Sequence, residues 1–153
     1  MDQIGLDKGY FVTSSCALLC NYFSSAFQSE SKFGYLGDQK IGTRDTYVVG
    51  FAQQPGKATV LLTMKRPRGA RVNMLVQGIA WTDRRNFQII QMRTDLLSPR
   101  SDMGLDQQPT EVTHPEVQLV DVSTSLWLPS AVKIDIEFRS DSPNFRQSFV
   151  QSF

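Results

Sequence analysis

Val132, Ile134, Ile136 and Phe138 alternate with Lys133, Asp135, Glu137 and Arg139. A period of two sends four apolar side chains to one face of a strand and four charges to the other. This segment therefore demands a sheet with one dry side and one wet side. The same period governs most of the chain upstream. Residues 32–53, "KFGYLGDQKIGTRDTYVVGFAQ", read as strand, turn, strand. Gly42 supplies the permissive backbone of the turn, and Tyr47, Val49 and Phe51 alternate with Thr46, Val48 and Gly50. A strand over about 58–64 follows the Pro-Gly turn of "QQPGK" and stops before "KRPRGAR".

"GIAWTDRRNFQIIQMRTDLL", residues 78–97, completes a hairpin with strands over about 72–83 and 87–97. Asp83 accepts bonds from turn amides, and Asn86 takes the left-handed conformation that a three-residue loop needs. That loop sets Trp81 opposite Ile89 and Ile79 opposite Gln91; a two-residue loop would turn one strand over. "SPRSDMGLDQQP" reads as a polar loop. A short strand over 117–122, the alternating strand of the opening and a last strand with Phe145, Phe149 and Phe153 on one side close the chain.

The N-terminal part has a different period. Val12, Cys16, Leu19, Phe23 and Phe27 recur at helical spacing, which predicts a helix over about 10–28. A second reading stays open for this uncharged stretch, that of a signal segment ending near "SSA". Asp2 and Asp7 before it and the interrupting Ser, Thr and Asn favour a helix of the domain, and the stretch is too polar for a membrane span. Cys16 and Cys20 read as small buried apolar residues. As metal ligands they lack companions, because His114 is the only other soft donor.

At 153 residues the chain fits a single domain, 1–153, with one core. Its 16 Lys and Arg against 15 Asp and Glu exclude a global pull towards nucleic acid. The fold expected is mainly β with one helix (α+β). A curled antiparallel meander of seven or eight strands over about 32–153 forms an open half-barrel packed around the N-terminal helix.

Three segments carry a family resemblance: "FGYLGDQKIGTRDTYVVGFA", "GIAWTDRRNFQIIQMRTDL" and "SLWLPSAVKIDIEF". Their order and spacing resemble the later strands of the outer-membrane lipoprotein-sorting (carrier and receptor) superfamily, closest to divergent bacterial envelope proteins of uncharacterised role. The match covers roughly residues 32–138. The resemblance implies an incomplete antiparallel barrel whose concave face holds acyl chains, and an envelope or periplasmic location. The chain departs from the pattern in lacking the early strands and second helix expected before residue 10, and in having no convincing export signal.

No catalytic constellation emerges. His114 in "VTHPE" reads as a surface or turn histidine. Asp102 with Asp106 and Asp135 with Glu137 fall in a polar loop and on a wet strand face, whereas acid–base work needs a carboxyl in a dry pocket. No phosphate loop, dinucleotide fingerprint or metal cluster is present in the sequence, so no cofactor is expected. Lys65, Arg66, Arg68, Arg71, Arg84 and Arg85 sit in two loops and, if joined in space, form an anion-attracting rim. Tyr47, Phe51, Trp81, Phe87, Trp127 and Phe138 are core by default, and the candidate lining of an apolar groove between sheet and helix. The expectation is a non-enzymatic binder of an apolar ligand, a lipid or acylated protein. The alternative is a structural or protein-interaction module of the envelope with a filled core. Partners would be lipid or lipidated protein, not nucleic acid, with a homodimer through an open sheet edge as a further expectation.

Overall fold

The computed structural model describes residues 4–5, 11–12, 21–59, 62–65, 71–121, 123, 125–138 and 145–152. Among the described residues the strands are β1 (Ile4–Gly5), β2 (Phe11–Val12), β3 (Ser31–Ile41), β4 (Arg44–Gln53), β5 (Leu62–Lys65), β6 (Arg71–Met74), β7 (Val76–Asp83), β8 (Ile89–Leu96), β9 (Leu105–Gln107), β10 (Thr110–Thr113), β11 (Glu116–Val117), β12 (Leu126–Trp127), β13 (Ala131–Phe138) and β14 (Phe145–Ser152). Every pairing is antiparallel. The main sheet runs β14-β13-β10-β8-β7-β4-β3, with β9 beside β13; β1-β2-β5-β6 make a second sheet and β11-β12 a two-stranded arm. Among the described residues the sheets do not close into a barrel.

The expected strand–turn–strand of residues 32–53 is β3, a turn with Gly42 at φ 58°, and β4. The alternating strand is β13, whose Val132, Ile134, Ile136 and Phe138 are all buried. The strand expected over 72–83 is broken at Leu75 into β6 and β7, each serving a different sheet. At the break the buried Gln53 Oε1 accepts the Val76 amide at 2.8 Å, replacing a ladder partner.

Four expectations need correction. The helix over about 10–28 is not supported: Phe11–Val12 pair with β1 and β5 as strand, and residues 22–27 are turns leading into a 3-10 turn at Gln28–Glu30. The Ser24 carbonyl takes the amides of Phe27 and Gln28 while its Oγ takes that of Ala26. Serine bonding its own neighbourhood offers the backbone an alternative to the helical ladder. Cys16 and Cys20 lie outside the described residues. The strand over 117–122 shrinks to two residues, because the chain turns at 120–121 with Asp121 at φ 65°. A central strand, β10, stands just past the polar loop; of its four residues only Val112 is a large apolar one, so alternation did not reveal it. Finally, the hairpin register is shifted. Trp81 pairs with Gln91 and Ile79 with Arg93, a bulge follows, and the left-handed residue is Phe87 (φ 59°), not Asn86. Asp83 does accept a turn amide, that of Arg85 at 2.7 Å.

Register assigns the two faces of the main sheet. Val49, Ala80, Met92, Val112 and Val132 form one cross-strand row, and Phe51, Gly78, Thr94, Thr110 and Ile134 the next. This face is covered: Tyr22, Leu62, Met74, Met103 and Leu105 complete its core cluster. Tyr22 and Phe23 lie on Phe51, with centroids at 5.3 and 5.2 Å. Residues 22–23 thus cap the sheet from turns, where a helix was expected.

Candidate binding groove

The opposite face carries the row Gly34, Gly50, Ile79, Arg93, Glu111, Lys133 and, beside it, Lys32, Ala52, Gln77, Asp95. Where these rows cross β3 and β4, three of the four positions are small. Gly34 and Gly50 are direct partners, and Ala52 follows two residues on. The sheet surface is therefore dished, with bare backbone for a floor. Leu36 forms a wall, since the bulge between Tyr35 and Gly37 swings it over Gly50, where a Cβ would meet its Cδ1 at 3.0 Å. Lys32, Gln77 and Arg93 stand around the rest. The result is a groove of about 530 Å³ lined chiefly by apolar atoms, within the volume range of small-molecule sites.

Of the expected ligand-binding aromatics only Phe51 borders this groove, and its ring belongs to the covered core. Phe138 is buried in that core too. Tyr47 is on the covered-face side of β4 but near its open end. There Phe87, 69 % exposed, stacks on it at 6.3 Å and the Arg84 guanidinium lies 5.0 Å from its ring centre. Trp81 is on the groove face, nearer the β7–β8 turn, and donates Nε1–H to Gln39 Oε1 at 2.8 Å. Trp127, in the arm, lies under the Arg44 guanidinium at 4.5 Å. The six side chains therefore divide between two faces and one end, and do not make one surface. The signal that would have found the groove was the run of small residues at same-face positions (Gly34, Gly50, Ala52), read together with register.

The chain matches no family model, no curated protein sequence and no solved structure.

The basic loops also separate. Arg84 and Arg85 are exposed in the β7–β8 turn, while Lys65 and Arg71 are the paired ends of β5 and β6. Arg66 and Arg68 lie outside the described residues, as do the side chains of Lys65 and Arg71. β6 passes into β7 through Leu75 alone, too short a link to reverse the chain, so Arg71 and Arg84 stand at opposite ends of one extended segment. Arg84 is also partnered, by Asp38 at 3.2 Å.

At the turn end of the sheet, Arg44 joins three elements. Its Nη1 donates to Asp83 Oδ2 at 2.8 Å and its Nη2 to Glu116 of the arm. Asp83 is only 1 % exposed. Burial works against its charge, but the Arg44 guanidinium and the amides of Arg85 and Asn86 outweigh it and hold the carboxyl below its usual range. These are the marks of a structural clasp.

His114 is buried, 3 % exposed, not a surface or turn side chain. It follows β10 directly, its amide bonded to the Ile90 carbonyl at 2.8 Å, and burial pushes its imidazole pKa down. One member of each carboxylate pair is held by a neighbouring cation: Asp102 by Arg100 through two bonds of 2.9 Å, Asp135 by Lys133 at 3.2 Å.

Proposed function

We propose that this protein is a non-enzymatic binder of an apolar chain, held in the groove over Gly34, Gly50 and Ile79 on the open face of the main sheet. The groove itself carries the reading: a dished apolar surface of this volume beside the charged Lys32, Arg93, Asp95, Glu111 and Lys133 of the same face. An acyl chain needs no directional contact there, since each methylene removed from water contributes about 0.8 kcal/mol. The ligand class is the one implied by the resemblance to lipoprotein-sorting proteins, and an envelope location belongs to the same proposal. The place differs: the bound chain lies on the outer face, while the covered face is filled by core.

Gly34 provides the test. A Cβ there meets nothing within 4 Å, so Gly34→Leu sends its side chain from an unobstructed Cβ into the groove. Losing burial of two methylenes costs about tenfold in affinity. Titration with a fluorescent naphthylamine dye and dodecanol as competitor should show that loss, with an unchanged unfolding midpoint. Equal binding by wild type and Gly34→Leu would overturn the reading.

A second reading, a protein-interaction module, draws on β3. Among the described residues its only sheet neighbour is β4, and it exposes Phe33, Tyr35 and Leu36. An open edge with apolar side chains invites strand pairing, including with a second copy. Absence of dye binding together with concentration-dependent self-association, abolished by Leu36→Lys, would favour it.

A further inference from the structure

We infer that the apolar chain taken by the groove carries an anionic group at one end, a carboxylate or a phosphate, and that Arg93 receives it. This rests on the apolar-chain reading and goes beyond it by naming the ligand class: an anionic amphiphile. The argument begins with which cations are already used. Lys40, Arg44, Arg84, Arg100 and Lys133 each hold a carboxylate partner. Among the described side chains Lys32, Lys57, Arg85 and Arg93 have none, and Lys32 and Arg93 are the two that border the groove.

Arg93 is left over although carboxylates stand near it. Its cross-strand neighbour Glu111 accepts the side-chain amide of Gln91 at 2.7 Å instead. Asp95, two residues along on the same face, turns its Oδ1 to the amides of Leu96 and Gln108, each at 2.7 Å. The exposed guanidinium therefore keeps its donors for an oxyanion, two of whose oxygens it binds in a two-pronged fit that an ammonium cannot make. From Arg93 on β8 the floor runs over Ile79 and Gly50 to Gly34 at the β3 edge, three interstrand spacings or roughly 14 Å. Head and tail thus have separate places. Lys32, at the open edge where solvent screens it, adds attraction without fixing geometry.

Calorimetric titration with dodecanoate, dodecyl phosphate and dodecanol reads the head separately from the chain. The wild type is expected to bind both anions about fivefold more tightly than the alcohol, the worth of one solvent-exposed ion pair. Arg93→Gln should bring that ratio to about one, Arg93→Lys should keep part of it, and Lys32→Gln should reduce it less. Equal affinity of the wild type for anion and alcohol, or a ratio that survives Arg93→Gln, overturns the inference while leaving the groove intact. Binding of none of the three probes overturns the groove reading and the inference with it.

Discussion

A Cβ placed on Gly78 would press into the Arg93 carbonyl oxygen and stand 2.8 Å from the Phe51 ring. Backbone and a packed aromatic both resist, so no flexible side chain is available to give way. Gly78→Ala should therefore cost about 1–3 kcal/mol through overpacking, read as a lower urea midpoint at unchanged slope. Gly34 is the contrast, because a side chain there enters open space, and substitution should move stability by no more than about 0.5 kcal/mol. Two glycines in one sheet thus do different work: one lets Phe51 lie flat in the core, the other leaves the outer surface hollow. Phe87 departs from the usual preference for Asn or Gly at positive φ. Its ring stacks on Tyr47 at an angle of 15°, a contact that helps offset the backbone cost.

Arg44 ties the start of β4 to the β7–β8 turn and to the β11–β12 arm. Its loss leaves Asp83 charged and buried with amides as its remaining partners. Breaking a fully buried pair costs about 3–5 kcal/mol. Because Arg44 is 35 % exposed, Arg44→Met should fall lower, at about 2 kcal/mol. Arg44→Met combined with Asp83→Leu should recover most of that loss, since no unpaired charge then remains. A double-mutant cycle by chemical denaturation measures the coupling. Among the described residues β3 is paired on one side only, and Lys32, Lys40 and the bulge beside Leu36 all discourage indiscriminate pairing on the other.

For the molecule as a whole, the buried His114 sets a pH dependence. Burial places its folded pKa below the ordinary value of about 6.5, so between the two the unfolded chain binds more protons. Stability is then full above about pH 6.5 and declines as pH falls below it, towards the folded pKa. Asp83 contributes in a lower window: its stabilisation is present above the ordinary carboxylate range and is lost as pH falls through its depressed folded value. Unfolding midpoints from pH 7 to 5 should fall for the wild type, and His114→Asn should flatten that slope whatever its own midpoint. An unchanged wild-type midpoint over this range would refute the assignment. Alternation was enough to identify β4, β8 and β13, because a half-buried strand must repeat every second residue whatever lies around it. The helix over 10–28 failed for the complementary reason: apolar spacing says which residues want cover, and Ser24 and the β2 pairings decided how they get it. Tyr47, Trp81 and Trp127 could be recognised as important aromatics, but not as belonging to different surfaces, since a face depends on register and a bulge changes register by one. The groove is the furthest case. Its floor is an absence of side chains at Gly34, Gly50 and Ala52, distant in sequence from Ile79 and Arg93. Composition and period dictated a two-faced antiparallel sheet; which face was buried and which left hollow was set by long-range pairing and by what packed against it.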